Sequence, residues 1–206
     1  MDWVHGTRGA AAAARASEAR AEPVEGAAPG LAALLEGVSD DHSHAVLDLG
    51  AAADPNLRLY SRYARWVRFL DLLGPGGWAG GGSAAASPGH IPPEVQHPYD
   101  LVFAWDVLDW LSGDQRRELV RSLAEVSAPR ARLHLLTRVE DAVARPLRFT
   151  ILDVNRVRYE PSAGAALPRS RLLPAEVARL LEPFRVLHAF TLRSGLREYV
   201  AVRQGS

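Results

Sequence analysis

The sequence predicts a doubly wound α/β fold, in which helices cover both faces of a mostly parallel sheet and an antiparallel hairpin closes the C-terminal end. Short apolar runs typical of buried parallel strands occur at residues 44–50, 66–73, 100–105 and 131–137. Segments with helical periodicity lie between most of these runs, and such alternation favours parallel strands joined by helices. Two alternating runs around Ser194–Gly195 predict the final hairpin.

Length and composition restrict the class of protein. The chain has 206 residues, of which 48% are hydrophobic, and this is enough for one domain with its own core. The 24 basic and 24 acidic residues cancel, so no overall field attracts nucleic acid or an anionic membrane, and we expect neither as a partner. The absence of Cys excludes disulfides, thiolate metal sites and a Cys nucleophile. No apolar run is long enough for a bilayer and no secretion signal is visible, which favours the cytoplasm.

The N-terminal half predicts an arm, two helices and a long loop. Residues 1–28 contain almost no large apolar side chains, so we expect a flexible arm before a domain over 29–206. Apolar residues at helical spacing predict a helix over 29–38. Pro55 suits the first turn of a second helix, because its fixed backbone angle is helical. Gly, Pro and Ser dominate residues 74–98, which predicts a flexible loop.

The C-terminal half predicts a capped helix and an insert. Ser112, with Gln115 three residues later, has the pattern of a capping box and predicts the start of a helix. Residues 138–170 form an insert before the last helix. Within it, residues 147–160 alternate between apolar and polar, which predicts a hairpin with its turn near Val154–Asn155.

Three stretches, taken in their order and spacing, resemble class I S-adenosylmethionine-dependent methyltransferases. The resemblance extends over most of residues 30–203, and the three stretches that carry it read AVLDLG, PYDLVFAWDVLDWL and LLPAEVARLLEPFRVLHAFTLRSGLREYVAV. The resemblance implies a Rossmann-like domain that binds S-adenosylmethionine across the carboxyl ends of its parallel strands. It implies methyl transfer to an acceptor that the sequence does not identify. The alternative is a catalytically inactive methyltransferase-like module that acts as a binding or assembly partner.

The resemblance also implies which residues bind the cofactor, all of them at or near the ends of three predicted strands. These residues are Asp48, Gly50, Ala52, Asp71, Ala104 and Trp105. Asp71 ends the second strand and would accept hydrogen bonds from the ribose hydroxyls, or else cap a turn. Asp48 would orient the ligand turn, or else bind neighbouring backbone amides. Trp105 would line the pocket, or else pack in the core.

The sequence departs from the family pattern in two places, and each departure predicts a structural difference. The turn after the first strand reads GAAADPN, with alanines where the family has glycines. Alanine resists a positive φ, so we expect a turn of different shape. Residues 74–98 are too rich in Gly and Pro to supply the helix and strand that the family has there. We therefore expect the sheet to lack one edge strand.

The segment after the third strand contains the candidate for catalysis. Asp106 would act as a general base if burial raised its pKa, and the acceptor would enter above it, beneath the 138–170 insert acting as a lid. The alternative is that Asp106 caps the turn and Asp109 faces solvent. His42 and His44 alternate beside a strand, but no third ligand is apparent, so we expect no metal site.

Overall fold

The computed structural model describes residues 22–74, 91, 98–139, 143–162, 167–168 and 171–205. The described helices and strands, in chain order, are β1 (Val24–Ala27), α1 (Pro29–Leu35), β2 (His44–Asp48), α2 (Asp54–Tyr60), β3 (Ala64–Phe69), β4 (Tyr99–Trp105), α3 (Gly113–Val126), β5 (Ser127–Arg138), β6 (Val143–Ala144), β7 (Leu147–Asp153), β8 (Arg156–Pro161), β9 (Leu167–Pro168), α4 (Pro174–Leu180), β10 (Phe184–Thr191) and β11 (Leu196–Arg203). A short 3-10 helix, Leu108–Trp110, precedes α3. No helix in these ranges combines the length and apolar character needed to cross a membrane.

The central sheet has six strands in the order β10-β11-β5-β4-β2-β3. The strands β3, β2, β4 and β5 pair in parallel, and β11 joins β5 and β10 with antiparallel pairing on both sides. This arrangement confirms the predicted mostly parallel sheet with a C-terminal hairpin.

Local signals in the sequence account for several element ends. The predicted capping box begins α3: Gln115 Oε1 accepts the Ser112 amide at 2.8 Å, and Ser112 Oγ accepts the Gln115 amide at 3.4 Å. The turn of the final hairpin contains Gly195 with φ of 78°, a left-handed conformation that suits glycine. The predicted hairpin of the insert is also present, because β7 and β8 pair around a turn at Val154–Asn155.

Two hydrophobic cores lie on opposite faces of the sheet, and the alternation of β4 shows how they are divided. Val102 and Ala104 face the core that contains residues of α3 and α4. Phe103 and Trp105 face the other core, which contains residues of α1 and α2. Successive side chains of a strand point to opposite faces, so one buried strand contributes to both cores.

A second sheet of three antiparallel strands, in the order β1-β8-β7, covers the α1–α2 side. Its inner side chains are buried in the same core as Trp105; they are Phe149, Ile151, Val157 and Tyr159. The described part of the 138–170 insert is therefore a packed layer of the protein.

The predicted arm over 1–28 was wrong for its last residues. Val24–Ala27 form a strand that pairs with β8, and Ala28 is fully buried. The sequence VEGA has no strand pattern of its own, so this strand depends on a partner more than a hundred residues away. Residues 1–21 lie outside the described residues.

The loop over 74–98 also lies mostly outside the described residues. Ile91 is described, and it is buried in the core on the α3–α4 side. Among the described strands β3 is the edge of the sheet, so the expected absence of a further edge strand stays a prediction.

Candidate cofactor crevice

The ends of β2, β3 and β4 meet at one edge of the sheet. The Leu49 amide donates to the Phe103 carbonyl at 3.0 Å, and the Asp71 amide donates to the Gly50 carbonyl at 3.1 Å. Ala104 follows Phe103 directly in β4. The three strand ends that the sequence singles out therefore lie side by side, as binding across the carboxyl ends of a parallel sheet requires.

Asp48 is a buried carboxylate at this edge, with 2% of its surface exposed. One carboxylate oxygen accepts the Gly50 amide at 2.8 Å, and the other accepts the Tyr60 hydroxyl at 2.8 Å. Burial raises the pKa of Asp48 to about 6, although these hydrogen bonds oppose the shift, and the charge of Asp71 raises it further. The carboxylate thus orients the turn through the Gly50 amide.

The turn after β2 has no left-handed residue. Among described non-glycine residues, positive φ angles occur at His42, Asp71, Asp106 and Arg130, and none of these lies in the turn. Ala52 is exposed, and α2 begins without a side-chain cap at Ala53. Whether the alanines give this turn a shape that differs from the family's glycine-rich turn stays a prediction.

Asp71 lies just beyond β3, partly exposed and left-handed, with φ of 42°. Its carboxylate has no hydrogen-bond partner among the described residues. Its oxygens lie so close to Gly74 that a Cβ at that position would overlap Oδ2. The Asp71 amide contacts the Gly50 carbonyl, and the Asp71 carboxylate has lone pairs that are available to accept hydrogen bonds from a ligand.

Ala104 and Trp105 are buried in opposite cores. Trp105 donates its indole N–H to His134 Nδ1 at 2.7 Å and makes an edge contact with Phe149, the ring centroids being 5.3 Å apart. The indole of Trp105 therefore packs in the core in this conformation, which was the alternative to a pocket-lining role.

Asp106 is closed off by the insert. It has a left-handed φ of 59° and only 1% of its surface is exposed. Its oxygens accept Arg138 Nε at 3.1 Å and Nη2 at 3.2 Å, and Oδ2 also accepts the Leu147 amide at 2.7 Å. Burial raises the pKa of Asp106, and Arg138 opposes the rise. Its carboxylate therefore binds the start of β7. In this conformation, no methyl acceptor reaches the carboxylate.

Asp109 was expected to face solvent if it had no catalytic role, and this was wrong. It has 1% of its surface exposed, and it accepts the backbone amide of Arg138 at 2.7 Å. The short helix Leu108–Trp110 turns the side chain inward, toward the end of β5.

Asn56 and Tyr60 belong to the site but were missed from the sequence. Asn56 Nδ2 donates to the Phe149 carbonyl at 3.2 Å, and its Oδ1 accepts the Ile151 amide at 2.8 Å. Tyr60, one helical turn later, binds Asp48. The sequence signal that could have identified them is their spacing of four residues, which places two polar side chains on the same buried face of α2. They join the turn after β2 to the insert.

A buried polar chain connects α1 to the end of β4. His134 accepts the Trp105 indole, and its Nε2 lies 3.5 Å from Glu198 Oε1. Glu198 Oε2 accepts the Gly30 amide at 2.7 Å. His134 and Glu198 are completely buried, and the hydrogen bonds satisfy His134 Nδ1 and Glu198 Oε2 in place of water. His134 Nε2 and Glu198 Oε1 face each other without a hydrogen-bond partner among the described residues.

The paired histidines near β2 have local partners. His42 Nδ1 lies 2.7 Å from the Ser61 carbonyl, and His44 lies 4.0 Å from Asp100. Within the described ranges, no group of three or more His, Asp or Glu side chains has a metal-binding arrangement.

No protein-family model matches the chain, and no curated protein matches it in sequence. Solved structures do match it. It is similar to the 1,6-didemethyltoxoflavin-N1-methyltransferase of Burkholderia thailandensis, with 17% identity and a TM-score of 0.53 over 86% of this chain and 77% of that one. It is similar to the N-methyltransferase NodS of Bradyrhizobium japonicum WM9, with 15% identity and a TM-score of 0.53 over 86% and 94% of the two chains.

A third similar structure is CalS10, an amino pentose methyltransferase from Micromonospora echinaspora, with 14% identity and a TM-score of 0.53 over 99% of both chains. These likenesses show the fold: the chain has the α/β architecture of class I S-adenosylmethionine-dependent methyltransferases. The TM-scores are modest, and the Ala-rich turn is one place where this chain departs from the family's glycine-rich pattern.

Proposed function

We propose that the crevice between Gly50 and Asp71 binds S-adenosylmethionine or S-adenosylhomocysteine. The observation that carries the proposal is the carboxylate of Asp71, which is partly exposed and has no hydrogen-bond partner among the described residues. The backbone amide of Asp71 donates to the Gly50 carbonyl at the edge where β2, β3 and β4 end. The similar structures include CalS10 with bound S-adenosylmethionine.

The residues of the ribose side fit this ligand. Asp71 would accept hydrogen bonds from the two ribose hydroxyls, since an ionised carboxylate offers several acceptor positions. The Gly50 backbone and the exposed Ala52 would lie against the rest of the ligand. Asp48 places a second acidic group nearby, which suits the cationic sulfonium and amino groups of S-adenosylmethionine.

Methyl transfer to an unidentified acceptor is the first candidate activity. The bound cofactor would supply an activated methyl group, so this chain would contribute mainly positioning and exclusion of water. Asp106 binds Arg138 and Leu147, so the candidate reaction does not use it as a base in this conformation. A neutral amine attacks the methyl group through its nitrogen lone pair without prior deprotonation, so such an acceptor needs no base in the transfer step, and the methylated ammonium then loses its proton to solvent.

A non-catalytic adenosyl-binding module is the second candidate, and a specific observation favours it. Trp105, Asp106 and the start of β7 fill the acceptor side above β4 with the protein's own groups. Such a protein would bind an adenosyl ligand at the ribose side of the crevice, and it would also contact a protein partner.

Calorimetry with S-adenosylmethionine and S-adenosylhomocysteine tests binding directly. We expect saturable heat with the wild type and at least tenfold weaker binding by Asp71→Asn, because a hydrogen bond to a charged group contributes about 1.5–3 kcal/mol. Asp153→Asn is the matched control, since Asp153 is a partly exposed aspartate in the turn of the insert. No heat and no thermal shift at millimolar ligand would overturn the proposal.

A second measurement separates the two candidates. Methyl-labelled S-adenosylmethionine is incubated with the protein and fractionated small-molecule extracts, and transfer of label is followed. Label transfer that Asp71→Asn lowers would support the enzyme. Tight binding with label transfer no higher than in protein-free samples would support the module.

A further inference from the structure

The protonation of its carboxyl group distinguishes Asp48 from the other acidic residues of the crevice. Its carboxylate is buried beneath the turn, where it accepts the Gly50 amide and the Tyr60 hydroxyl. The charged group that acts on it from the end of β3 is Asp71, which is also negative. No ion pair joins Asp48 to a basic side chain in the part of the chain that the structure describes. A positive charge from outside the protein would therefore complement this pair.

We propose that binding of a cationic adenosyl ligand releases a proton from Asp48, and that the crevice thereby favours S-adenosylmethionine over S-adenosylhomocysteine. This inference rests on the proposed function, because it concerns the same site. The two ligands share a nucleoside and an amino acid group, and they differ in the sulfonium, which carries a positive charge only in S-adenosylmethionine. The proton that leaves Asp48 passes to the buffer.

The hydrogen bonds of Asp48 explain why ionisation and turn geometry are linked. As a carboxylate it accepts from Gly50 with one oxygen and from Tyr60 with the other. When Asp48 is a neutral acid, one of its carboxyl oxygens carries a proton. This proton competes with the N–H or O–H donor that already points at the same oxygen. A nearby cation favours the charged form. Ligand binding therefore favours the form of Asp48 that holds the turn by both contacts.

The direction in which ligand affinity changes with pH follows from the protonation equilibrium of Asp48. Burial and Asp71 raise the pKa of Asp48 to about 6, so the free protein is largely protonated at this position at pH 5 and largely ionised at pH 7. If a bound cation lowers this pKa by one unit, affinity rises by about fivefold between pH 5 and pH 7. The rise for S-adenosylhomocysteine is smaller, because it lacks the sulfonium charge.

Calorimetry at pH 6 in two buffers of different ionisation enthalpy measures the released protons. We expect up to about half a proton per S-adenosylmethionine, because the free carboxyl is half protonated there, and fewer per S-adenosylhomocysteine. Asp48→Asn should abolish the buffer dependence, whereas Asp153→Asn, in the exposed turn of the insert, should retain it.

Three outcomes would overturn the inference. S-adenosylmethionine could bind with heat that is independent of buffer, or Asp48→Asn could release as many protons as the wild type; each would remove the coupling while leaving binding intact. Absence of binding by either ligand would remove the proposed function and the coupling with it. If Asp48→Asn does not fold, the pH profile of wild-type affinity between pH 5 and 7 decides, and equal profiles for the two ligands contradict the inference.

Discussion

The indole N–H of Trp105 donates to Nδ1 of His134 across 2.7 Å inside the core. An indole nitrogen is a donor only, so Nδ1 must act as the acceptor and the imidazole proton must reside on Nε2, which faces Glu198. The contact fixes one tautomer of His134. It also connects the end of β4 to the strand that binds α1.

Replacing His134 should destabilise the fold strongly. His134→Leu leaves the Trp105 N–H and the Glu198 carboxylate buried with fewer partners, and we expect a loss of about 2–4 kcal/mol in the free energy of unfolding. Urea denaturation measures the loss, with the exposed His188→Leu as the control. Equal stability of the two variants would show that the polar chain contributes little.

Gly30 should not tolerate a methyl group. A Cβ there would lie 2.7 Å from His134 Nε2 and 2.8 Å from the Cβ of Glu198, and both neighbours are fixed in the core. We expect Gly30→Ala to cost about 1–3 kcal/mol, the range for overpacking. Gly26→Ala, in β1, is the matched control, because its Cβ would meet Tyr159 at an ordinary 3.7 Å. Similar melting temperatures for the two variants would contradict the prediction.

The titration of Asp48 should lower the stability of the wild type as pH rises from about 4 to about 6. Folding raises the pKa of Asp48 from 3.8 to about 6, so in this window the folded state binds more protons than the unfolded state and loses stability as they leave. The full difference is about 3 kcal/mol, since each pKa unit is equivalent to 1.36 kcal/mol. Asp48→Asn lacks this titration.

Denaturation of wild type and Asp48→Asn at pH 4.5 and pH 7 tests this expectation. The variant should gain stability relative to the wild type at the higher pH. Asp41→Asn serves as the control, because hydrogen bonds with Ser43 and Ser39 lower the pKa of Asp41 instead. An identical difference between wild type and Asp48→Asn at both pH values would refute a raised pKa.

Removing Arg138, at the end of β5, should destabilise the insert far more than removing an exposed arginine of the β7–β8 hairpin. Arg138→Met leaves the buried carboxylate of Asp106 without its cation, and such changes cost about 3–5 kcal/mol. Arg156→Met breaks an exposed ion pair with Asp153 and should change stability little.

The double variant Arg138→Met/Asp106→Asn checks the cause. It should recover much of the lost stability, because the second change removes the uncompensated charge. If the double variant is less stable than Arg138→Met alone, the loss comes from packing instead.

The sheet was predictable because its strands carry their own pattern. The centre of β2, residues 45–47, is apolar, and the paired signals of Ser112 with Gln115 and of Ser194–Gly195 determine an element by local chemistry. The positions of Gly50 and Asp71 followed from the rule that parallel strands end at one edge. These predictions needed no knowledge of distant contacts.

The rest of the site depends on contacts between segments far apart in the sequence. Nothing near Asp106 indicates that Arg138 and Leu147 would cover it, and Asp109 turns inward only because β5 ends beside it. Likewise, Asn56 gains its role from the backbone of β7. Periodicity shows which face of an element is buried, but not which polar group meets it there.

The pairing of β1 with β8 interlocks the beginning of the chain with its insert. Neither strand can dock before the intervening sheet has assembled, so this contact should form late in folding, as pairings of high sequence separation do. A shortened protein that starts after Ala28 would leave the backbone donors and acceptors of β8 open along one side. Such an edge invites intermolecular strand addition, so we expect self-association to limit the solubility of that fragment.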